Sequence, residues 1–151
     1  MMKLPHYLFG LSSLVLPLAA GCGGPDPNLG QVQGVVTLDG QPLADATVIL
    51  VQGQGRPAAG VTDAEGRYQV ALTGARPGTA PGVNKVRIIT ERGPGETADG
   101  TPIPPAPERL PSRYHAQTEL AVEVKAGELT EANFELTSAN QAKGKSPSKV
   151  R

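Results

Sequence analysis

Three separated stretches of this chain alternate apolar and polar residues with a period of two. Tyr68, Val70 and Leu72 interleave with Arg67, Gln69 and Ala71. Leu120, Val122 and Val124 interleave with Glu119, Ala121, Glu123 and Lys125, and Ala132, Phe134 and Leu136 with Glu131, Asn133 and Glu135. Successive side chains of a strand point to opposite faces, so each stretch has one greasy and one wet side. The pattern predicts half-buried strands of antiparallel sheet. Segments 35–38 and 46–51 are apolar on both sides and suit more central strands. Segment 83–90 adds a strand with Val86 and Ile88 inward and Lys85 and Arg87 outward, and 59–62 a short one. Seven strands with turns between them predict a two-layer sandwich.

The turns have chemical causes. Asp39-Gly40 and Asp63-Ala64-Glu65-Gly66 place residues that tolerate positive φ between strands, and Gly127 separates the last two. The 19 Gly and 15 Pro among 151 residues disfavour long helices. The length suits one domain. Its core is expected to be aliphatic, because Tyr68, Tyr114 and Phe134 are the aromatics beyond the leader. The expectation is an all-β fold.

The first residues read as an address. Lys3 is followed by a largely apolar run, 8–20, ending in the small residues Ala19, Ala20 and Gly21. This is the layout of a secretory signal, and the run is short of the roughly 20 residues that span a bilayer. Cys22, the single Cys, follows at once and excludes an intramolecular disulfide. Leu18-Ala19-Ala20-Gly21-Cys22 resembles the lipobox of bacterial lipoproteins, in which the Cys becomes the lipidated first residue. Leu18 stands one place further from the Cys than that family prefers, with Ala19 in its position. Two readings stand: a lipidated Cys22, or an ordinary export signal followed by an unpaired thiol. Lipidation would anchor the chain, since each buried CH₂ contributes about 0.8 kcal/mol and two acyl chains suffice.

The resulting division is a signal peptide at 1–21, a flexible tether at 22–30, a domain at 31–137 and a disordered basic tail at 138–151. The tail carries Lys143, Lys145, Lys149 and Arg151 without an acid. It either meets an anionic surface or is simply solvated. In Gram-negative lipoproteins Asp after the Cys favours the inner membrane, so Gly23 points to the outer membrane or a periplasm-facing position in the cell envelope.

Residues 34–48 (GVVTLDGQPLADATV) and the hairpin Thr62-Asp63-Ala64-Glu65-Gly66-Arg67-Tyr68 resemble the opening and the T-D-x-x-G-x-Y hallmark of carboxypeptidase regulatory-like domains. A third hallmark, P-G before a strand that commonly begins with Tyr, is present as Pro81-Gly82, with Val83 and Asn84 around the place of the Tyr. The resemblance covers about 32–136. It implies a transthyretin-like (prealbumin-like) fold, a seven-stranded antiparallel Greek-key β-sandwich. The chain is also similar to short lipoproteins of planctomycete bacteria, in which a Pro-x-Arg-Tyr stretch, here Pro111-Ser112-Arg113-Tyr114, precedes the last strands.

Chemistry is sparse. Fourteen basic and fourteen acidic side chains cancel, which gives no support for nucleic-acid binding. Asp63 and Glu65 offer too few oxygens for a calcium loop, so no metal or cofactor is expected. Ser112 and His115 are near neighbours but have no third group to orient them, and no catalytic residue is expected. Transthyretin-like enzymes that hydrolyse 5-hydroxyisourate depend on several His and a C-terminal motif that this chain lacks. Asn133 has no early-strand Lys with which to form a self-crosslink, as the similar collagen-adhesin repeats do. Segment 91–113, with three Gly and six Pro in 23 residues, is expected to be a long loop. It serves either as a partner-binding element or as cover for a sheet edge. Arg113, Tyr114 and His115 beside it are the candidate ligand-binding residues, with Tyr114 the one candidate platform for a sugar ring. The expectation is a non-catalytic binding or structural module held to a membrane through Cys22, with an envelope protein or glycan as partner; the alternatives are a small-ligand or glycan-binding lipoprotein using loop 91–113, or an accessory subunit of an envelope complex.

Overall fold

The computed structural model describes residues 26–72 and 76–138. Cys22, the leader 1–21 and the tail from 139 onward lie outside the described residues.

Two sheets share one core. In the first, β1 (Gln31–Leu38) is central. On one side it pairs antiparallel with β2 (Gln41–Pro42) and β5 (Arg67–Gln69). On the other it pairs with β12 (Leu129–Glu131) and β13 (Phe134–Leu136). These two pairings are parallel, which corrects the expectation of a wholly antiparallel arrangement. The second sheet runs β11 (Ala121–Val124), β8 (Gly82–Ile89), β3 (Thr47–Val51), β4 (Ala58–Val61), β6 (Ala71–Leu72), β7 (Arg76–Pro77), with every neighbour antiparallel. The stretch read as one strand from Arg67 to Leu72 is thus two, β5 in the first sheet and β6 in the second. The chain changes sheets at the buried Val70, a corner of the kind that joins packed sheets.

The inward phases match the alternation. Val32, Val36, Tyr68, Phe134 and Leu136 from one sheet meet Val48, Leu50, Val86, Ile88, Val122 and Val124 from the other in a single buried cluster. Each large side chain is worth about 1.5–3 kcal/mol when fully buried. Tyr68 lies 6.3 Å from Phe134, ring centre to ring centre. The segments that are apolar on both sides are central strands. On the outer face of β3, Ile49 and Val51 stand opposite Arg87 and Lys85 and are half-buried.

Asp39 and Gly40, at φ 52° and 80°, make the two-residue β1–β2 turn in which both central residues have positive φ. Asp63 caps its own turn: its Oδ1 accepts from the backbone N–H groups of Glu65 (3.0 Å) and Arg67 (2.8 Å).

A local rearrangement lies where β1 meets β12 and β13. Between these two strands the regular pairing is interrupted at Ala132 and Asn133, although the Ala132 N–H still donates to the Gln33 carbonyl at 2.8 Å. The Ala132 carbonyl accepts a 2.7 Å hydrogen bond from the buried Tyr68 hydroxyl. The Asn133 side-chain oxygen accepts from the Val35 N–H at 2.8 Å. Gly34 permits this approach, because a Cβ there would stand 1.9 Å from the Ala132 oxygen. Burial pushes the Tyr68 hydroxyl well above the ordinary phenol range.

The two ends of the sandwich differ. At the near pole the chain enters. Leu29 N–H donates to Asp26, Gly30 bridges Thr79, and Gly127 N–H donates to the Leu29 carbonyl at 2.9 Å. Residues 26–30, expected within the tether 22–30, are therefore hydrogen-bonded to the domain, and 22–25 lie outside the described residues. The wholly buried Asn84 closes this pole, accepting from the Thr79 hydroxyl (3.1 Å) and donating to the Ala80 and Gly82 carbonyls. β1 carries the chain roughly 25 Å to the far pole, where β13 also ends.

Candidate functional site

The far pole collects the candidates Arg113, Tyr114 and His115. β8 ends there at Ile89, and the chain leaves on the excursion 91–113 before returning to β11. This segment is not the irregular loop expected. Arg92 and Ala106 exchange backbone hydrogen bonds of 2.9 and 2.8 Å. Beyond them β9 (Gly95–Glu96) pairs antiparallel with β10 (Pro102–Ile103). Thr97 N–H donates to the Thr101 carbonyl at 2.9 Å across the tip, and the Thr97 hydroxyl donates to Asp99. That contact leads the hydrogen bonds that hold the exposed Asp99 carboxyl below its ordinary value. Residues 91–102 are exposed throughout.

The base of the hairpin is fixed by Glu108, which sequence reasoning missed. Its carboxylate accepts from the Thr90 hydroxyl (2.5 Å) and from the backbone N–H groups of Thr90, Arg109 and Leu110 at 2.8–3.2 Å. Arg109 also reaches the Ala44 carbonyl at 3.3 Å. Burial pushes the Glu108 carboxyl up, but the hydrogen bonds from Thr90, Leu110 and Glu91 outweigh it and hold the group below its ordinary value. A depressed folded pKa contributes stability above the unfolded value, near 4.3, that is lost as pH falls through the lower folded value. Glu108→Gln is therefore expected to cost about 1–2 kcal/mol near pH 6. The difference from the parent chain should shrink towards pH 3. Thermal melting of both chains between pH 3 and 6 checks this, and a pH-independent difference would contradict it.

The three candidates on the return path have partners within the chain. The Arg113 guanidinium donates to the Thr137 carbonyl (2.5 Å) and hydroxyl (2.8 Å) and lies 4.6 Å over the centre of the Tyr114 ring. The Tyr114 hydroxyl accepts from the Thr137 N–H at 3.0 Å, while its ring packs against the core. One ring face is covered by the guanidinium, and the half-buried ring borders the core. Burial raises the Tyr114 phenol, but the bonds from Thr137 and the nearby Arg113 charge outweigh it and leave it below its ordinary value. His115 donates from Nε2 to the Leu110 carbonyl at 3.1 Å, whereas Ser112 donates to Gln117 at 3.2 Å. Ser112 and His115 are thus each turned to other partners. Arg113 and Tyr114 thus clasp the return path to Thr137, next after β13, while His115 ties it back to Leu110.

Asp63 and Glu65, weighed as a calcium pair, both hold Arg67, at 3.1 and 2.8 Å. The backbone N–H of Arg67 first, and then its guanidinium, hold the exposed Asp63 carboxyl below its ordinary value.

No family model matches the sequence, and no curated protein matches it. Two solved structures are similar in part. One is a DUF3823 family protein from Parabacteroides merdae, 18% identical, with a TM-score of 0.40 over 72% of this chain and 45% of that one. The other is a 9R-lipoxygenase from Cyanothece, 16% identical, with a TM-score of 0.41 over 76% of this chain and 17% of that one. The match spans less than half the length of either.

Proposed function

We propose that this chain is a lipid-anchored protein of the bacterial cell envelope whose β-domain, of the carboxypeptidase regulatory-like, transthyretin-like kind, is a non-catalytic binding or structural module. The observation that carries this reading is the opposition of the two poles. The chain enters at the pole built from Asp26, Gly30 and Thr79, and the exposed hairpin stands at the other. Residues 22–25 can span at most roughly 14 Å. Acyl chains on Cys22 would therefore hold the entry pole close to a bilayer and present the hairpin about 25 Å further out. Exposure of residues 91–102 favours presentation to a partner over cover for a sheet edge. The motif residues support the family reading, since Asp39-Gly40 and Gly66 take positive φ in turns and the buried Tyr68 anchors the core.

Changing Cys22 to Ser is expected to move the protein from the membrane to the soluble fraction of its host. Retention of the variant in membranes after a high-salt wash would contradict the anchor.

A further inference from the structure

The outward face of the first sheet carries a polar depression, away from the hairpin. Its residues stand in two rows across three strands. Gln69, Gln33 and Glu131 form one row, and Arg67, Val35 and Asn133 the other. Between them lies a surface depression of about 320 Å³, lined by Gln33, Val35, Arg67, Glu131 and Asn133. That volume is near the lower end of small-ligand sites.

The chemistry of this lining is specific. Asn133 is held in one orientation, because its oxygen is committed to the Val35 N–H. Its two amide hydrogens are therefore the donors it can offer. Arg67 is fixed through Nε and one Nη by Asp63 and Glu65, which leaves further N–H donors on a pre-positioned plane. Glu131 is exposed and supplies acceptors, and Gln33 supplies both kinds of group. Among the described residues, Asp63, Glu65 and Glu131 outnumber the one cation of this lining, Arg67, so the local field disfavours an anionic ligand. Donors and acceptors alternating around one small apolar residue, Val35, match vicinal hydroxyl groups set on a C–H framework.

We infer that this depression binds a neutral saccharide, one or two rings at a time, by hydrogen bonds and without aromatic stacking. The site requires neither the anchor nor the hairpin. Affinity for a short oligosaccharide is on the order of 1 mM, and a polymeric glycan gains by engaging many anchored copies.

The test is an NMR titration of the full chain bearing Cys22→Ser. The probes are neutral trisaccharides of glucose, galactose, mannose or N-acetylglucosamine. Saturable shifts at the Val35 backbone amide and the Gln33 and Asn133 side-chain amides are expected with at least one of them. Gln33→Ala and Glu131→Ala should each weaken that binding about fivefold, the loss of roughly one hydrogen bond, with melting temperature unchanged. Three results would overturn the inference: no saturable shift with any probe, shifts confined to residues 95–103, or undiminished binding by both variants.

Discussion

Replacing Gly34 with Ala is expected to lower the melting temperature of the domain by about 15 °C or more. The added Cβ would stand 1.9 Å from the Ala132 oxygen and 2.6 Å from its carbonyl carbon, both backbone atoms that no rotamer change can move. β1 must then part from the segment between β12 and β13. The separation breaks the Tyr68–Ala132 and Val35–Asn133 hydrogen bonds. Each bond contributes about 1 kcal/mol and the overpacking costs about 1–3 kcal/mol more. The sum, about 3–5 kcal/mol, is a large part of the 5–15 kcal/mol typical of a whole domain. Gly93→Ala is the control, because a Cβ there meets no atom within 4 Å. Melting followed by circular dichroism should separate the two variants clearly. A Gly34→Ala chain that melts within about 3 °C of the parent would show that the close approach is not there.

Val122→Asp is the second large effect. Val122 is 4% exposed and belongs to an entirely hydrophobic cluster. Its cross-strand neighbour Asn84 already uses its amide on Ala80 and Gly82. The new carboxylate would be unpaired, at a cost of about 3–5 kcal/mol. Burial raises the pKa of an introduced carboxyl, so the folded state binds its proton more tightly than the unfolded state does. The destabilisation should therefore be greatest at neutral pH and ease as pH falls. Ala121→Asp, on the exposed phase of the same strand, should stay within about 0.5 kcal/mol of the parent. Equal tolerance of both substitutions would mean that β11 faces the other way.

Much of the fold was legible because one face of each strand had to be greasy. The phases of Tyr68 and Val70, of Val86 and Ile88, and of Val122 and Val124 are those the sequence spacing predicts. Pairing was not legible, since alternation fixes a strand's faces and says nothing of its neighbours. The parallel union of β1 with β12 and β13 joins residues 98 apart. The role of Gly34 follows from that union, so no local signal could reveal it. Asn84 could have been found, because an amide in phase with Val86 and Ile88 must be buried and satisfied. Glu108 could be found only in part. Its acceptors gather Thr90, 18 residues away, together with its immediate neighbours Arg109 and Leu110. The proline count of segment 91–113 pointed to a loop, yet Pro102 sits on an edge of a two-stranded ribbon, where a missing N–H does no harm.

The far-pole candidates show a related limit. Arg113, Tyr114 and His115 are residues of binding chemistry, but the partners that occupy them, Thr137 and Leu110, come from the chain itself. The outward array of Gln33, Arg67, Glu131 and Asn133 had the opposite fate. Arg67 read as the wet side of one strand and Glu131 and Asn133 as that of another, Gln33 carried no reading, and only the sheet brings the four together.

The attachment of the chain to its membrane is decided most directly by the mass of the amino-terminal peptide released from the exported protein. A peptide that begins at Cys22 and carries a thioether-linked diacylglyceryl group is the predicted result. A peptide with an unmodified Cys22 thiol, or one that still holds residues of the 1–21 leader, would contradict the account.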